Sequence, residues 1–438
     1  MKFNKWTVGL AAIGVVSLAS AARADEAKMS QVQTALSNTT ISGYVSASFN
    51  WAMSPGENGY QNSPAGYIPY QSGKQDGFNL DVVKLSISKP QDESPWASGY
   101  QVDLLFGPDA VGFNPVQNNR DDYYSESFAI KQAYVALQTP VGNGINWKVG
   151  VFDSPIGYES FDAGNDPNYT RSWGNAIEPT ELTGVLASYK FSDEFSLSAG
   201  IANTLMAGIN TRAYTYTYYY NYHSQDWHKA FLGSATFTAP SSWGWAAGSS
   251  FYAGIVYGFN DQYIGASGGH QGGDQINYYV GATLNTPCKQ LTLGAAFDYA
   301  QNYGGGYQYD YYDSATDYEY ETSYGDVLAA GVYATLKATD KLSFNARGEY
   351  VYGKLRDVGS YNYTYDEGPS GSFANHYGAD GFELTGTVEY DLWANVISRL
   401  ELRWDHLNSN NVPLGLNDED GVAHKNAVGF YANVIYKF

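Results

Sequence analysis

The sequence predicts an all-β fold: a closed antiparallel transmembrane β-barrel of about sixteen strands, with short periplasmic turns and long extracellular loops. Three observations predict it. Apolar residues recur at every second position in stretch after stretch. The connections between these stretches alternate between short and long. Beyond the first two dozen residues, no stretch approaches the ~18 unbroken apolar residues of a membrane helix. The rhythm is plainest at the C-terminus. Val428, Phe430, Ala432, Val434, Tyr436 and Phe438 alternate with Gly429, Tyr431, Asn433, Ile435 and Lys437, giving one apolar and one mixed face. A closed ring lets such a strand pair on both edges while its apolar side meets lipid.

In chain order, residues 1–24 come first. Lys2 and Lys5 precede an apolar run from Trp6 to about Ala22, which ends in the small-x-small sequence Ala22-Arg23-Ala24. This reads as a secretory signal peptide rather than an uncleaved anchor. The chain of 438 residues carries a formal charge of −20, and cleavage would remove Lys2, Lys5 and Arg23, making it more acidic. That balance argues against nucleic acid as a partner, which needs a basic patch. The single Cys288 rules out an intrachain disulfide, and its position excludes a lipid-modified N-terminus. Residues 25–38 are polar, with Met29, Val32 and Leu36 at helical spacing. They fit a short periplasmic arm, helical or flexible, or a disordered terminus.

The barrel is expected over 39–438. Its first strand is Thr40–Met53, with Ile41, Gly43, Val45, Ala47 and Phe49 on one face and Ser42, Tyr44, Ser46, Ser48 and Asn50 on the other. The second sets Val83, Leu85 and Ile87 against Lys84, Ser86 and Ser88. The third sets Val102, Leu104 and Phe106 against Gln101 and Asp103. The fourth is Phe128–Thr139, and the fifth opposes Ile145, Trp147, Val149 and Val151 to Asn146, Lys148 and Gly150. The sixth and seventh are Gly184–Phe191 and Phe195–Thr204. Nine more are expected near 229–238, 247–259, 275–286, 291–302, 326–337, 341–353, 381–390, 397–406 and 426–438.

Short turns fall at Pro90–Ser98, Pro140–Gly144, Ser192–Glu194, Ala239–Ala246, Pro287–Gln290, Ala338–Asp340 and Asp391–Val396, and Trp96, Trp243, Trp245 and Trp393 lie in or beside them. That placement suits an aromatic belt at the periplasmic interface. The other connections are long and polar. Three are dominated by tyrosine: Tyr214–Tyr222, Tyr307–Tyr324 and Tyr361–Tyr365. They read first as external loops that pack on themselves, and second as a surface for sugars or a partner.

The connection Phe152–Thr183, the third long loop, holds Asp153, Glu159, Asp162, Asp166, Glu178 and Glu181 against one cation, Arg171. Proline and glycine break any long regular element, while Phe161, Tyr169, Trp173 and Ile177 argue that it packs on something. A loop of this length is more often functional or disordered than idle.

The runs Gly77–Pro90, Gly99–Ala110, Ile130–Gly144 and Val149–Phe191 resemble the putative β-barrel porin-2 (OmpL-like) family of outer-membrane proteins. The likeness is dense over 77–191 and continues as strand pattern and C-terminal phenylalanine over about 39–438. It implies an outer-membrane porin, a homotrimer, and a third loop that folds into the lumen and narrows it. The role of pore constriction is carried on this ground to the acidic loop.

Geometry points the same way. In a ring of sixteen, the fifth strand faces the thirteenth. There Leu342, Phe344, Ala346, Gly348 and Tyr350 point outward and Ser343, Asn345, Arg347 and Glu349 inward. On the fifteenth, Leu400, Leu402 and Trp404 point outward and Arg399, Glu401, Arg403 and Asp405 inward. An acidic loop facing Arg347, Arg399 and Arg403 across a narrow wet gap would set up a transverse field. The alternative is local, with Arg399 and Glu401 neutralising each other along their strand. On the lipid face each arginine would cost roughly 2–4 kcal/mol at mid-membrane, so their shared polar phase supports the register.

No enzyme is expected, because no nucleophile–base constellation or phosphate-binding loop is present. His223 and His228 are five apart, weak as a metal pair, and Asn417–Gly421 lacks the alternating spacing of a calcium loop. Neither a cofactor nor a metal is expected. The reading is a passive diffusion channel for ions and small hydrophilic solutes in the outer membrane, with membrane lipid around it. The alternative is a structural or adhesive barrel with a shut bore, whose Tyr-rich loops bind a partner.

Overall fold

The computed structural model of the chain describes residues 32–33, 38–54, 74, 76–113, 127–212, 214–217, 221–224, 228–260, 273–302, 306–313, 316–363, 371–408 and 425–438. The expected signal peptide 1–24 and the acidic run Asn417–Gly421 lie outside the described residues, as do parts of the arm and of the Tyr-rich stretches. Within the arm, Val32 and Gln33 pair antiparallel with Ile41 and Thr40, so this pair is extended rather than helical.

Sixteen antiparallel strands make the wall: β1 (Thr40–Ser54), β2 (Gly77–Lys89), β3 (Ser98–Phe106), β4 (Phe128–Thr139), β5 (Ile145–Asp153), β6 (Glu181–Lys190), β7 (Phe195–Ala202), β8 (Ala230–Thr238), β9 (Ser250–Asn260), β10 (Gly273–Asn285), β11 (Leu291–Gln301), β12 (Thr316–Lys337), β13 (Leu342–Tyr363), β14 (Gly371–Trp393), β15 (Val396–Leu407) and β16 (Asn426–Lys437). Each pairs with its chain neighbours. The ring closes where β16 pairs with β1, with Val434 opposite Ala47, and where Gly43 and Phe438 exchange backbone hydrogen bonds of 3.0 and 2.9 Å. A closed ring leaves no edge strand unpaired.

Side-chain phase follows the sequence rhythm. On β13 Ser343, Asn345, Arg347 and Glu349 are buried while Phe344 is exposed. On β15 Arg399, Glu401, Arg403 and Asp405 are buried while Leu400, Leu402 and Trp404 are exposed. Tyr44, Ser46, Ser48 and Asn50 of β1 are buried, and Trp51 and Met53 exposed. A wall whose polar side chains are buried and whose apolar ones are exposed is inverted relative to a water-soluble sheet. Trp96, Trp243, Trp245 and Trp393 are all exposed at the short-turn end.

Three departures from the expected register have local causes. On β2 the ladder shifts so that Leu80 pairs with Ala47 and Val82 with Ser46, leaving Asp81 as an extra residue that is buried inside. On β4 it shifts between Asp103 and Leu104, leaving Lys131 as the extra, buried residue. Such bulges re-aim side chains, and here each adds an inward charge. On β5, Val151 was expected on the apolar outer face but is buried. The turn comes at Gly150, at φ 135°, where a Cβ would lie 2.3 Å from the Ala133 carbonyl oxygen.

The Tyr-rich stretches were expected as loops, and the backbone corrects this. Gly306–Asp313 pairs with Thr316–Ser323 as a hairpin continuous with β12, and Tyr214–Thr217 pairs with Asn221–Ser224. The strands β12, β13 and β14 therefore run 22, 22 and 23 residues, where the other wall strands run 8 to 15.

Candidate functional site

The third long loop joins β5 to β6, and its residues bond to inward side chains on most of the ring. Its foot is pinned by the Ser154 amide donating to the Thr180 carbonyl at 3.1 Å. From there the chain crosses to the far wall. Ile156 packs with Leu182, Leu232 and Val256 in an apolar cluster, and the Tyr158 ring meets Tyr333 at 4.4 Å between centroids. Phe161 packs edge-on against Phe113, and Asp162 accepts from Lys84 Nζ at 2.8 and 3.0 Å.

The middle of the loop lies on β13 to β16. Arg399 donates to the carbonyls of Ala163 and Asp166, both at 2.6 Å, and Lys437 to that of Gly164 at 3.1 Å. The Glu401 carboxylate accepts the amides of Tyr169 at 2.6 Å and Thr170 at 2.8 Å. Arg403 donates to the Arg171 carbonyl and sits 5.6 Å from the Trp173 ring centroid. A short helix, α1 (Trp173–Ile177), follows. Ser172 caps it by accepting the Asn175 amide at 3.0 Å. Glu349 of β13 takes the amides of Trp173 and Gly174 at 2.5 and 2.8 Å, so the first N–H groups of the helix find acceptors in the wall.

This arrangement corrects the expected one. Arg347, Arg399 and Arg403 do not face the acidic loop across a wet gap. All three are at most 2% exposed and touch it. Arg347 donates to Glu159 at 3.0 Å as well as to Glu383 at 3.1 Å. The local alternative holds for Arg403, which pairs with Asp405 two residues along its strand at 2.7 Å, and not for Arg399, whose partner at 2.8 Å is Glu389 across the ladder on β14 while Glu401 binds loop amides. The physical reason is economy of buried charge. A guanidinium out of water needs its donors filled, and loop carbonyls lie within reach.

The remaining expected residues divide. Arg171 bonds Asp166 within the loop and the Phe161 carbonyl at 2.8 Å. Glu178 follows the short helix and lines a small cavity with Lys131, Asp153 and Glu159, and burial pushes its carboxyl up to about 7. Glu181 is buried at the foot of β6 and accepts the Gly208 amide at 3.0 Å, with no ion pair to the three wall arginines. Asp153 pairs with Lys131. Of the expected residues, only Asp153 and Asp162 form ion pairs while keeping about a third of their side chains exposed, 34% and 31%.

Sequence reasoning missed Lys84 and Lys131, the partners of those two exposed carboxylates. Lys84 was on the polar phase of the second strand and could have been chosen. Lys131 sits on a bulge that no alternation reveals. It placed Glu349 and Glu401 inward but gave them no role at the loop, because their loop partners are backbone amides that carry no sequence signature.

A family model described as putative beta-barrel porin-2, OmpL-like, matches residues 38–438. Solved structures of the same fold include the anion-selective porin from Comamonas acidovorans, at 10% identity over 91% of this chain and 99% of that one, TM-score 0.52. The outer membrane channel DcaP of Acinetobacter baumannii shares 14% identity over 94% and 100%, TM-score 0.51. Salmonella typhi OmpF, in complex with daunomycin, shares 11% over 93% and 100%, TM-score 0.51. At these identities the likeness is one of fold. No curated protein sequence matches the chain.

Proposed function

Because the chain belongs to the putative beta-barrel porin-2, OmpL-like, family, we propose that it is an outer-membrane porin through which ions and small hydrophilic solutes diffuse passively. The observation that carries this reading is the inverted wall. Sixteen strands turn Arg347, Arg399, Glu401 and their neighbours inward and Leu400, Leu402 and Val434 outward. About eight strands would be filled by their own side chains, whereas sixteen leave an aqueous bore.

The narrowest point of that bore lies where the third long loop crosses it. Asp153 and Asp162, with Lys131 and Lys84, form its charged lining, because these carboxylates are paired and still partly open to water. Glu159, Asp166, Arg171, Glu178, Glu181, Arg347, Arg399 and Arg403 hold or flank the loop and shape the gap from behind. The resemblance adds a homotrimer as the assembly, and the basic, apolar and Ala22-Arg23-Ala24 segments of the first 24 residues add their removal on export; cross-linking and N-terminal sequencing test these.

Recording in a planar bilayer tests the main reading. Stepwise openings in salt solution, with a reversal potential that moves when Asp153 and Asp162 are neutralised, are expected. A second reading is favoured by the loop's contacts with so much of the ring: a structural barrel whose bore stays shut. Silence from a folded barrel would select it.

A further inference from the structure

The limb that leads the third long loop into the lumen, Pro155-Ile156-Gly157-Tyr158, carries no charge. It is seated by shape. On β9 Ser250 and Val256 are buried while Phe251 and Ile255 are exposed, so Gly254 lies on the lumen side. A Cβ at Gly254 would overlap Ile156 Cγ2. On β11 Ala296 and Asp298 are buried while Leu293 and Phe297 are exposed, which puts Gly294 on the lumen side as well. A Cβ there would lie 2.7 Å from Tyr158 Cζ, with the Tyr158 hydroxyl closer still. Glycine inside a strand weakens it and often marks a place that another part of the chain approaches closely.

The ladder neighbours of each glycine complete the seat. Gly294 pairs with Thr283 on one side and Tyr333 on the other. The Tyr158 and Thr283 hydroxyls are 3.4 Å apart, and the Tyr158 ring lies against that of Tyr333 with 30° between planes. Gly254 pairs with Ser234 and Tyr279, and Ile156 and Tyr279 share one buried apolar cluster. Between the two seated side chains Gly157 stands at φ 125°, a conformation open to glycine, and the limb bends there. Away from the wall, Ile156 lines a small cavity with Lys131, Asp153 and Phe161. One side chain thus separates the seat on β9 from the charged lining of the gap.

We infer that Gly254 and Gly294 are positioning residues of the constriction. Their missing side chains leave sockets for Ile156 and Tyr158. The depth of those sockets sets how far the loop stands off the wall, and so how much room remains beside Lys131 and Asp153. The pairs of Glu159 with Arg347 and of Asp162 with Lys84 then fix the loop beyond the limb. A methyl group in the β9 socket pushes Ile156 into the cavity, because a close-packed interior passes a displacement on.

The effect on current rests on the channel reading, so a second readout needs no current. Gly254→Ala is expected to bring single-channel conductance to roughly half that of the parent without moving the reversal potential, since no charge changes. Ile156→Ala in the same chain removes Cγ2 and restores the conductance, which a merely weakened wall would not allow. Should Gly254→Ala fail to refold, Gly294→Ala carries the test with Tyr158→Phe as its partner, because that exchange deletes the hydroxyl nearest the added methyl. Gly386→Ala, on β14 with nothing within 4 Å of its Cβ, behaves as the parent. In refolded protein in detergent, chymotryptic cleavage after residue 158, read by mass spectrometry, rises severalfold in the socket variants and falls back in the rescued pairs. Parent-like conductance or parent-like cleavage in both socket variants, or losses that the partner exchange does not restore, overturn the sockets. Bilayers that stay silent for every variant remove the channel, and the cleavage pattern still decides the sockets.

Discussion

Arg347 is joined twice to Thr170: Nη1 donates to the carbonyl at 2.7 Å and Nη2 to the hydroxyl at 3.1 Å. A wall strand thus grips the backbone of a loop rooted on the opposite side of the ring. Arg347→Gln would leave Glu159 and Glu383 buried beside a neutral group. Breaking a buried ion pair from one side costs about 3–5 kcal/mol. The expected outcome is a lower thermal midpoint in detergent together with noisier single-channel current, since the loop's middle is set free.

Glu401 should matter nearly as much, through backbone alone. Its two oxygens take the amides of Tyr169 and Thr170, and the Thr387 hydroxyl donates to it at 2.6 Å. Glu401→Ala strands these donors, and hydrogen bonds to charged groups are worth about 1.5–3 kcal/mol each. Limited proteolysis should then cut near 168–171, where the parent resists.

Selectivity should follow the partly open pairs and not the arginines. Lys84→Gln with Lys131→Gln is expected to move the reversal potential in a salt gradient toward cations, and Asp153→Asn with Asp162→Asn toward anions. Arg399→Gln, by contrast, should lower stability and leave the reversal potential nearly unchanged, because its charge is spent on Glu389 and two loop carbonyls. A large shift from Arg399→Gln alone would contradict this assignment.

Leu402 tests which face meets lipid. It is exposed at the middle of β15, between inward Glu401 and Arg403. Leu402→Arg is expected to cost roughly 2–4 kcal/mol when folding into lipid vesicles is measured by urea titration. Placed in a water-soluble sheet, the same change would be nearly silent.

The sequence carried the wall well and the loop's docking poorly. The two-residue rhythm of β13, β15 and β16 gave both strand extent and side-chain direction, because a residue between lipid and lumen has no third option. The same rhythm was present in Tyr307–Tyr312 and Tyr318–Tyr324, but tyrosine and acid in a polar connection looked like loop, and the hairpin there went unread. At the site, the inward arginines and the acidic loop were identifiable as charges, yet charge alone cannot tell a gap from a contact. Arg399 and Arg403 bind loop carbonyls and Glu401 binds loop amides, which every residue type supplies equally. The bulges that bring Asp81 and Lys131 inward add a residue without breaking the apolar alternation on either side.

The seam between β1 and β16 joins residues far apart in the chain: Asn433 donates to Ser46, 387 positions earlier. A polypeptide delivered N-terminus first can zip neighbouring hairpins as they arrive, but this last join must wait for nearly everything else. Until then the half-made cylinder is a curled ribbon with two raw margins, each able to recruit a stranger. Pairing β16 with β1 is therefore the step that removes the last open edge of this molecule, and with it the route to aggregation.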